Sequence, residues 1–228
     1  MSGNPASFMN PASVASYVDQ TQGRVPGLAD LHRMTTLLLA EQAPGAACIL
    51  VVGAGGGLEL KAMAQSRPDW RFTGVDPSPA MLNLARQTVA SHADRVEFLT
   101  GKVDEAPPGP FDGATCLLML HFLDRKERLR TLREIRRRLK PGRALVIAHH
   151  TAPDSEPGHW LERSAAFADR SGSDPAKATA AARAMADHLP LLSPCEEEAV
   201  LLEAGFSEPA LFYAALSFRG WVATSGQP

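Results

Sequence analysis

The sequence has few cysteines, almost no net charge and no long apolar run. Its three cysteines, Cys48, Cys116 and Cys195, form no Cys-x-x-Cys pair, which favours a reducing compartment. Cys48 and Cys116 lie in apolar runs, where we expect buried free thiols. The formal net charge of −2 argues against a nucleic-acid backbone as the main partner.

No apolar run is long enough to cross a bilayer. The first ten residues are polar and lack the basic start and apolar stretch of a secretory signal. We therefore expect a cytoplasmic protein. The 228 residues suffice for one domain that folds without disulfides or a structural metal.

Strands and helices alternate along most of the chain. The predicted strands are 48–52, 71–75 (ending in Asp76), 96–99, 113–118 and 144–148, and the helices are 28–41, 58–67, 78–90, 125–140 and 196–204. Two last strands, around 211–216 and 218–223, are expected to pair antiparallel. The fold class is therefore α/β: a Rossmann-like, doubly wound sheet of about seven strands, mostly parallel, with helices on both faces.

Two segments interrupt this rhythm. Residues 1–30 are predicted to form an N-terminal arm with one short helix, ending at Val25-Pro26-Gly27. Residues 151–192 are predicted to form a helical insertion over the active edge of the sheet. The basic run Arg136-Arg137-Arg138 could suggest nucleic acid, but a solvated outer face of the 125–140 helix is the preferred interpretation.

The loop after the first strand reads Gly53-Ala54-Gly55-Gly56-Gly57. Glycines allow a tight turn and a close approach of backbone to ligand. The dinucleotide pattern GxGxxG fails because Leu58 replaces its last glycine, and the lysine of a P-loop is missing. The GxGxG spacing favours a ligand without a pyrophosphate.

Asp76 ends the second strand about twenty residues after the glycines. A carboxylate there can accept hydrogen bonds from both hydroxyls of a ribose. The alternative is that Asp76 only caps the helix that begins near Ser78.

The glycine loop, Val75-Asp76-Pro77-Ser78-Pro79-Ala80-Met81 and Leu139-Lys140-Pro141-Gly142 together resemble the class I methyltransferases that use S-adenosylmethionine. The resemblance covers nearly the whole chain and implies methyl transfer to a small-molecule acceptor. It places the methionine part of the cofactor at the glycine loop, the ribose at Asp76 and the adenine near Met81. The implied cofactor-binding residues are Gly53, Ala54, Gly55, Gly57, Asp76, Pro77, Met81, Val103, Asp104, Leu118 and, on the arm, Tyr17 and Arg24.

Within the class, the sequence looks most like the carboxy-S-adenosylmethionine synthases. The residues that carry this likeness are Val25-Pro26-Gly27, Ser78-Pro79-Ala80-Met81, Phe122-Leu123 and the ending from Ala204-Gly205-Phe206 through Phe218. That resemblance implies that Arg183, in the insertion, holds a ligand carboxylate. A solvated helix face is the alternative for Arg183. A non-catalytic protein that binds S-adenosylmethionine and a nicotinamide-dependent oxidoreductase also remain open, although Leu58 disfavours the second.

The sequence departs from the family pattern at three points. Val51 stands where many members carry an acidic residue that helps to fix the methionine amino group. Asp104, two positions late, or a backbone carbonyl, takes the place of the aspartate that binds the adenine amine. The usual glycine pair after Lys140-Pro141 is reduced to Gly142-Arg143.

The acceptor is expected beyond the fourth and fifth strands. His121 and His150 are the candidate catalytic bases there, because a neutral imidazole can take a proton near pH 7. His121, Trp160 and Arg183 are the candidate acceptor-binding residues, and each histidine could instead be structural. The spacing of His149, His150, Asp154 and His159 matches no metal-ligand motif, so no metal is predicted. The oligomeric state is open, with a homodimer among the options.

Overall fold

A computed structural model describes residues 14, 16–43, 45–151, 157–169 and 174–226. The part of the arm before Val14 and the insertion segments 152–156 and 170–173, with Asp154, lie outside the described residues. The described part of the arm contains α1 (Tyr17–Arg24), as expected.

Seven strands form one sheet in the order β3-β2-β1-β4-β5-β7-β6. The strands are β1 (Cys48–Val52), β2 (Arg71–Asp76), β3 (Val96–Thr100), β4 (Gly113–Leu117), β5 (Ala144–His150), β6 (Phe206–Ala215) and β7 (Phe218–Ser225). The first five pair in parallel, and β7 lies antiparallel between β5 and β6. The predicted fold class and C-terminal hairpin are confirmed.

Helices cover both faces of the sheet. They are α1, α2 (Leu28–Ala40), α3 (Leu58–Ser66), α4 (Pro79–Thr88), α5 (Arg125–Arg138), α6 (Pro157–Ala168), α7 (Pro175–His188) and α8 (Pro194–Glu203). Apolar side chains of α2, α3 and α4 pack on one face, and those of α5 and α8 pack on the other. Among the described helices, none has the length and apolar character to cross a bilayer.

Strand β6 begins at Phe206, five residues before the predicted start. Gly205, with φ of 90°, ends α8, and the chain enters the sheet directly afterwards. Register shifts against β7 between Ser207 and Ala210 and between Leu211 and Tyr213 interrupt the pairing. These irregularities break the two-residue alternation by which a strand is recognised in sequence.

Two predictions about burial are wrong. Arg138 is buried rather than on a solvated face, because the loop after β3 folds over it. Its guanidinium donates to the backbone carbonyls of Asp104 (2.8 Å) and Ala106 (3.1 Å). Cys48 is exposed at the start of β1, whereas Cys116 is buried as expected.

The arm and the insertion meet beside the sheet. Helix α1 packs against α6, and α6 packs against α7. The hydroxyl of Tyr213 on β6 donates to the carbonyl of Pro26 at 2.6 Å and so ties the end of the arm to the sheet. The two segments therefore lie on the same side of the molecule.

Candidate cofactor and acceptor site

The glycine loop turns where a side chain would not fit. Gly53, Gly56 and Gly57 have φ between 70° and 81°, a region that favours glycine. A Cβ on Gly55 would lie 2.8 Å from both Asp76 Oδ2 and Met81 Cε. The loop is therefore a close-packed cradle, with Met81 against Gly55.

Asp76 is held by two backbone amides. Gly55 donates to Oδ2 at 3.1 Å and Ser78 donates to Oδ1 at 2.8 Å. The helix cap itself is Ser78, whose hydroxyl accepts from the amide of Met81 at 3.2 Å. Burial raises the pKa of the Asp76 carboxyl, and the two amide bonds lower it only in part. Asp76 thus joins the loop to β2 and retains oxygen lone pairs for a diol.

A cavity of about 120 Å³ lies at the carboxyl ends of β1, β2 and β4. The predicted residues Gly53, Pro77, Val103 and Asp104 line it, and so does Met119, which the sequence analysis missed. The Asp104 carboxylate is bonded to Arg130 at 2.6 Å. A larger groove of about 480 Å³ lies between α6 and α7, but glycine-loop residues do not line it.

Tyr17 on α1 lies against the glycine loop. Its Cε1 atom is 2.6 Å from where a Cβ on Gly56 would stand. Burial, together with the charges of Glu59 and Asp76, raises the pKa of the Tyr17 hydroxyl to about 12. Arg24, at the other end of α1, is exposed.

Glu59, in the first turn of α3, is a site residue that the sequence analysis missed. It accepts a 2.6 Å hydrogen bond from the hydroxyl of Thr115 on β4. Burial raises the pKa of the Glu59 carboxyl to about 8. Glu59 follows Gly57 by two residues, so its place next to the glycine loop can be read from the sequence.

The fold brings His121 and His150 together. Their rings meet edge to face with centroids 5.2 Å apart, at the ends of β4 and β5. Burial lowers the pKa of His150 to about 3, and it lowers that of His121 well below its ordinary value. Nδ1 of His150 is 2.7 Å from the Ser217 hydroxyl, which is 2.6 Å from the Ser164 hydroxyl on α6. Both rings are therefore neutral near pH 7.

A buried ionic cluster supports the histidine pair from the other face of the sheet. Glu197 on α8 forms an ion pair with Arg128 on α5. Its Oε1 atom also lies 2.8 Å from Nε2 of His149, within hydrogen-bond distance. Burial alone raises the pKa of Glu197, but His149 and Arg128 hold it below its ordinary value. Arg128 also donates to the carbonyls of Leu123 and Pro190. No sequence motif joins these residues, which lie far apart in the chain.

The other predicted residues lie around this centre. Trp160 on α6 is partly buried, with the guanidinium of Arg219 5.8 Å from its ring. Arg183 is exposed on α7, and Leu118 is a residue of positive φ directly after β4. Among the described residues, no three histidine, cysteine, aspartate or glutamate side chains are arranged to bind a metal ion.

The chain is similar to known methyltransferases. A family profile described as a methyltransferase domain matches residues 49–142. The carboxy-S-adenosyl-L-methionine synthase of Citrifermentans bemidjiense is 26% identical over 224 residues, covering 92% of this chain and 89% of the relative. A ubiquinone biosynthesis O-methyltransferase of Xanthomonas axonopodis is 31% identical over 126 residues, covering 52% of this chain and 51% of the relative.

Solved structures share the fold. Human N-acetylserotonin methyltransferase, in complex with S-adenosylmethionine, superposes with a TM-score of 0.64 at 15% identity, covering 97% of this chain and 58% of that chain. The chain spans little more than half the length of two further structural neighbours, 57% and 54%. Residues 49–142 thus match a methyltransferase domain, and this match, the similar proteins and the shared fold support a class I S-adenosylmethionine-dependent methyltransferase.

Proposed function

We propose that this protein transfers the methyl group of S-adenosylmethionine to a small molecule bound beyond β4 and β5. The observation that carries the proposal is the neutral pair His121 and His150 at the ends of these strands. In a parallel sheet, ligands bind at this edge. The pair therefore lies where an acceptor can meet a cofactor held at the glycine loop and Asp76.

The residues present fit the cofactor. The cradle at Gly55 and the Asp76 carboxylate would hold its methionine part and ribose, and the cavity beside Val103 and Met119 would take the adenine. When bound, S-adenosylmethionine supplies an electrophilic methyl group on a good leaving group. The protein is then required mainly to position and desolvate the acceptor.

The histidine pair supplies the polar contacts to the acceptor. Nδ1 of His121 is buried and has no hydrogen-bond partner within the described part of the chain. Such an atom in a folded interior points to a ligand or to water. Ser217 fixes the ring of His150 through Nδ1 and leaves Nε2 for the acceptor. A proton leaving the acceptor passes to one of these neutral rings.

We propose that α1 closes over the cofactor. The contact of Tyr17 with the face of Gly56 supports this role, since the ring covers the loop that holds the methionine part. Arg24 is exposed on the same helix, and its charge acts on the Tyr17 hydroxyl. The three free cysteines support a cytoplasmic location for the protein.

The test is transfer of a trideuteromethyl group from labelled S-adenosylmethionine to a panel of small hydroxylated and amino acceptors, read by mass spectrometry. The O-methyltransferases among the similar proteins are the reason for placing hydroxyl compounds first. We expect His121→Asn and His150→Gln to lower turnover about 100-fold, the lower range for a proton-transfer group. The exposed His188→Gln is the matched control and should retain full turnover.

Retained cofactor binding without labelled product from any acceptor would support the non-catalytic alternative. A carboxymethyl-forming activity is the second candidate, because several similar proteins are carboxy-S-adenosyl-L-methionine synthases. It requires a cation facing the sulfonium substituent, and Arg183 is exposed on α7. The mass of the cofactor that co-purifies distinguishes the two, and Arg183→Gln should not alter it if the activity is methyl transfer.

A further inference from the structure

Glu59 lies in the first turn of α3, where the helix dipole favours an acidic side chain, but its carboxyl group is buried against β4. Its carboxylate accepts from Thr115, which is completely buried and is the register partner of Val51 on β1. The carboxyl group therefore lies over the centre of the sheet, two residues after the glycine loop. Val51 itself is buried and apolar.

Within the described residues, no lysine, arginine or histidine lies within ion-pair distance of Glu59. The groups that interact with its charge are Tyr17 and Cys116, and both are neutral. An uncompensated carboxylate in a desolvated site is costly, and such groups concentrate where a ligand is bound. A cation is the ligand that would relieve this cost.

We propose that Glu59 is the anion that binds the α-ammonium group of the cofactor's methionine part, in place of an acidic residue at position 51. The inference rests on the S-adenosylmethionine site described above. The cofactor has two cationic centres, the α-ammonium and the sulfonium, and the position of Glu59 in the sheet indicates which of them it can bind. Thr115 lies within β4, whereas His121 lies beyond its end. The sulfonium must face the acceptor at the strand ends, so the ammonium is the cation left for the deeper carboxylate.

Three ligands and two variants test the assignment by calorimetry. S-adenosylmethionine and S-adenosylhomocysteine both carry the ammonium, whereas 5′-methylthioadenosine retains the adenosine and lacks the amino acid part. Glu59→Gln should lower the affinity for the first two ligands about 10- to 100-fold, since a charged hydrogen bond is lost. The affinity for methylthioadenosine should be unchanged. Asp76→Asn should weaken all three, because each has the ribose diol.

The outcomes separate the two hypotheses. If the wild-type protein binds none of the three ligands, the cofactor site itself is wrong. If it binds them and Glu59→Gln weakens all three equally or none, only the role of Glu59 is overturned. If Glu59→Gln weakens the binding of S-adenosylmethionine alone, Glu59 interacts with the sulfonium, and this too would contradict the proposal.

The pH dependence of ligand binding provides a second test, because a purely structural role of Glu59 would not change it. The Glu59 carboxyl has a raised pKa, about 8, in the ligand-free protein, so binding a cation near pH 7 must release its proton. Affinity for S-adenosylhomocysteine should therefore rise from pH 6 to pH 8, and calorimetry in buffers of different ionisation enthalpy should detect the released proton. Both signals should be absent in Glu59→Gln.

The neighbouring groups do not account for this signal. Tyr17 from α1 and Cys116 from β4 have raised pKa values and remain protonated through this range. Asp76 on β2 also has a raised pKa, and its share is measured by the same titration of Asp76→Asn. The ligand-free Glu59→Gln protein should have an equal or higher Tm at pH 8, because it no longer buries a charge. A lower Tm, with unchanged binding, would show that Glu59 is merely structural.

Discussion

The ends of β1 and β2 and the ends of β4 and β5 are held by different kinds of interaction. At β1 and β2, backbone amides bind Asp76, and glycines allow close contact. At β4 and β5, side chains from distant segments meet: Glu197 of α8 with His149, and Ser217 with His150. The first region depends on local geometry and the second on tertiary packing. Substitutions in the two regions should therefore fail in different ways.

The largest effect is expected for Arg128→Met. It leaves the buried Glu197 without its guanidinium partner, and breaking a buried pair from one side typically costs about 3–5 kcal/mol of unfolding free energy. Urea unfolding at pH 7 measures the loss. Cofactor affinity of the folded protein should remain within about twofold, because β1 and β2 are untouched.

The matched control is the double variant Arg128→Met with Glu197→Leu. It removes both charges and should recover a large part of the lost stability. A double variant as unstable as the sum of its single variants would show that the pair acts through packing rather than charge. In that event the distinction between the two regions would fail.

Gly57→Ala tests the backbone-held region. Gly57 has φ of 70°, and a Cβ there would lie 2.9 Å from Cα of Ala85. The left-handed backbone costs about 1–2 kcal/mol, and the clash with main chain adds to it. Gly142→Ala is a close match, because its φ is 72° and nothing lies within 4 Å of the new atom. We expect about 1–2 kcal/mol of lost stability for Gly142→Ala and clearly more for Gly57→Ala, with reduced cofactor binding only in the latter. Equal losses in thermal unfolding would contradict close packing at the loop.

Particular residues show what a sequence can predict here. Asp76, Ser78 and the loop glycines were predictable because their partners lie within a few residues or in the adjacent strand. Arg138 was assigned to solvent because helical periodicity does not reveal the loop that covers it. Glu197 and Ser217 were missed because they contact the histidines only after α8 and the hairpin have folded. Glu59 is a third case, because the role we propose for it belongs in the family pattern to an acidic residue at position 51.

The smallest of these effects should appear on mild acidification, and it should belong to the β4 and β5 region. The pKa of His150 is about 3 in the folded protein against an ordinary value of 6.5. Below pH 6.5 the unfolded chain therefore binds a proton at His150 that the folded chain does not bind, so the free energy of unfolding falls as the pH falls. The slope for one histidine approaches about 1.4 kcal/mol per pH unit.

Glu59 acts in the opposite direction over the same range, since its folded-state pKa of about 8 lies above its ordinary value. The pH dependence of the wild-type unfolding free energy is thus the sum of both contributions. The test is therefore the difference in this slope between His150→Gln and wild type. Unfolding free energies at pH 7, 6 and 5 should fall less steeply for His150→Gln than for wild type, with His188→Gln unchanged. Glu197 has a lowered pKa and stays ionised across this window, so it does not enter the difference. Equal slopes for His150→Gln and wild type would mean that folding leaves the pKa of His150 at its ordinary value, and this would contradict its burial as a neutral ring.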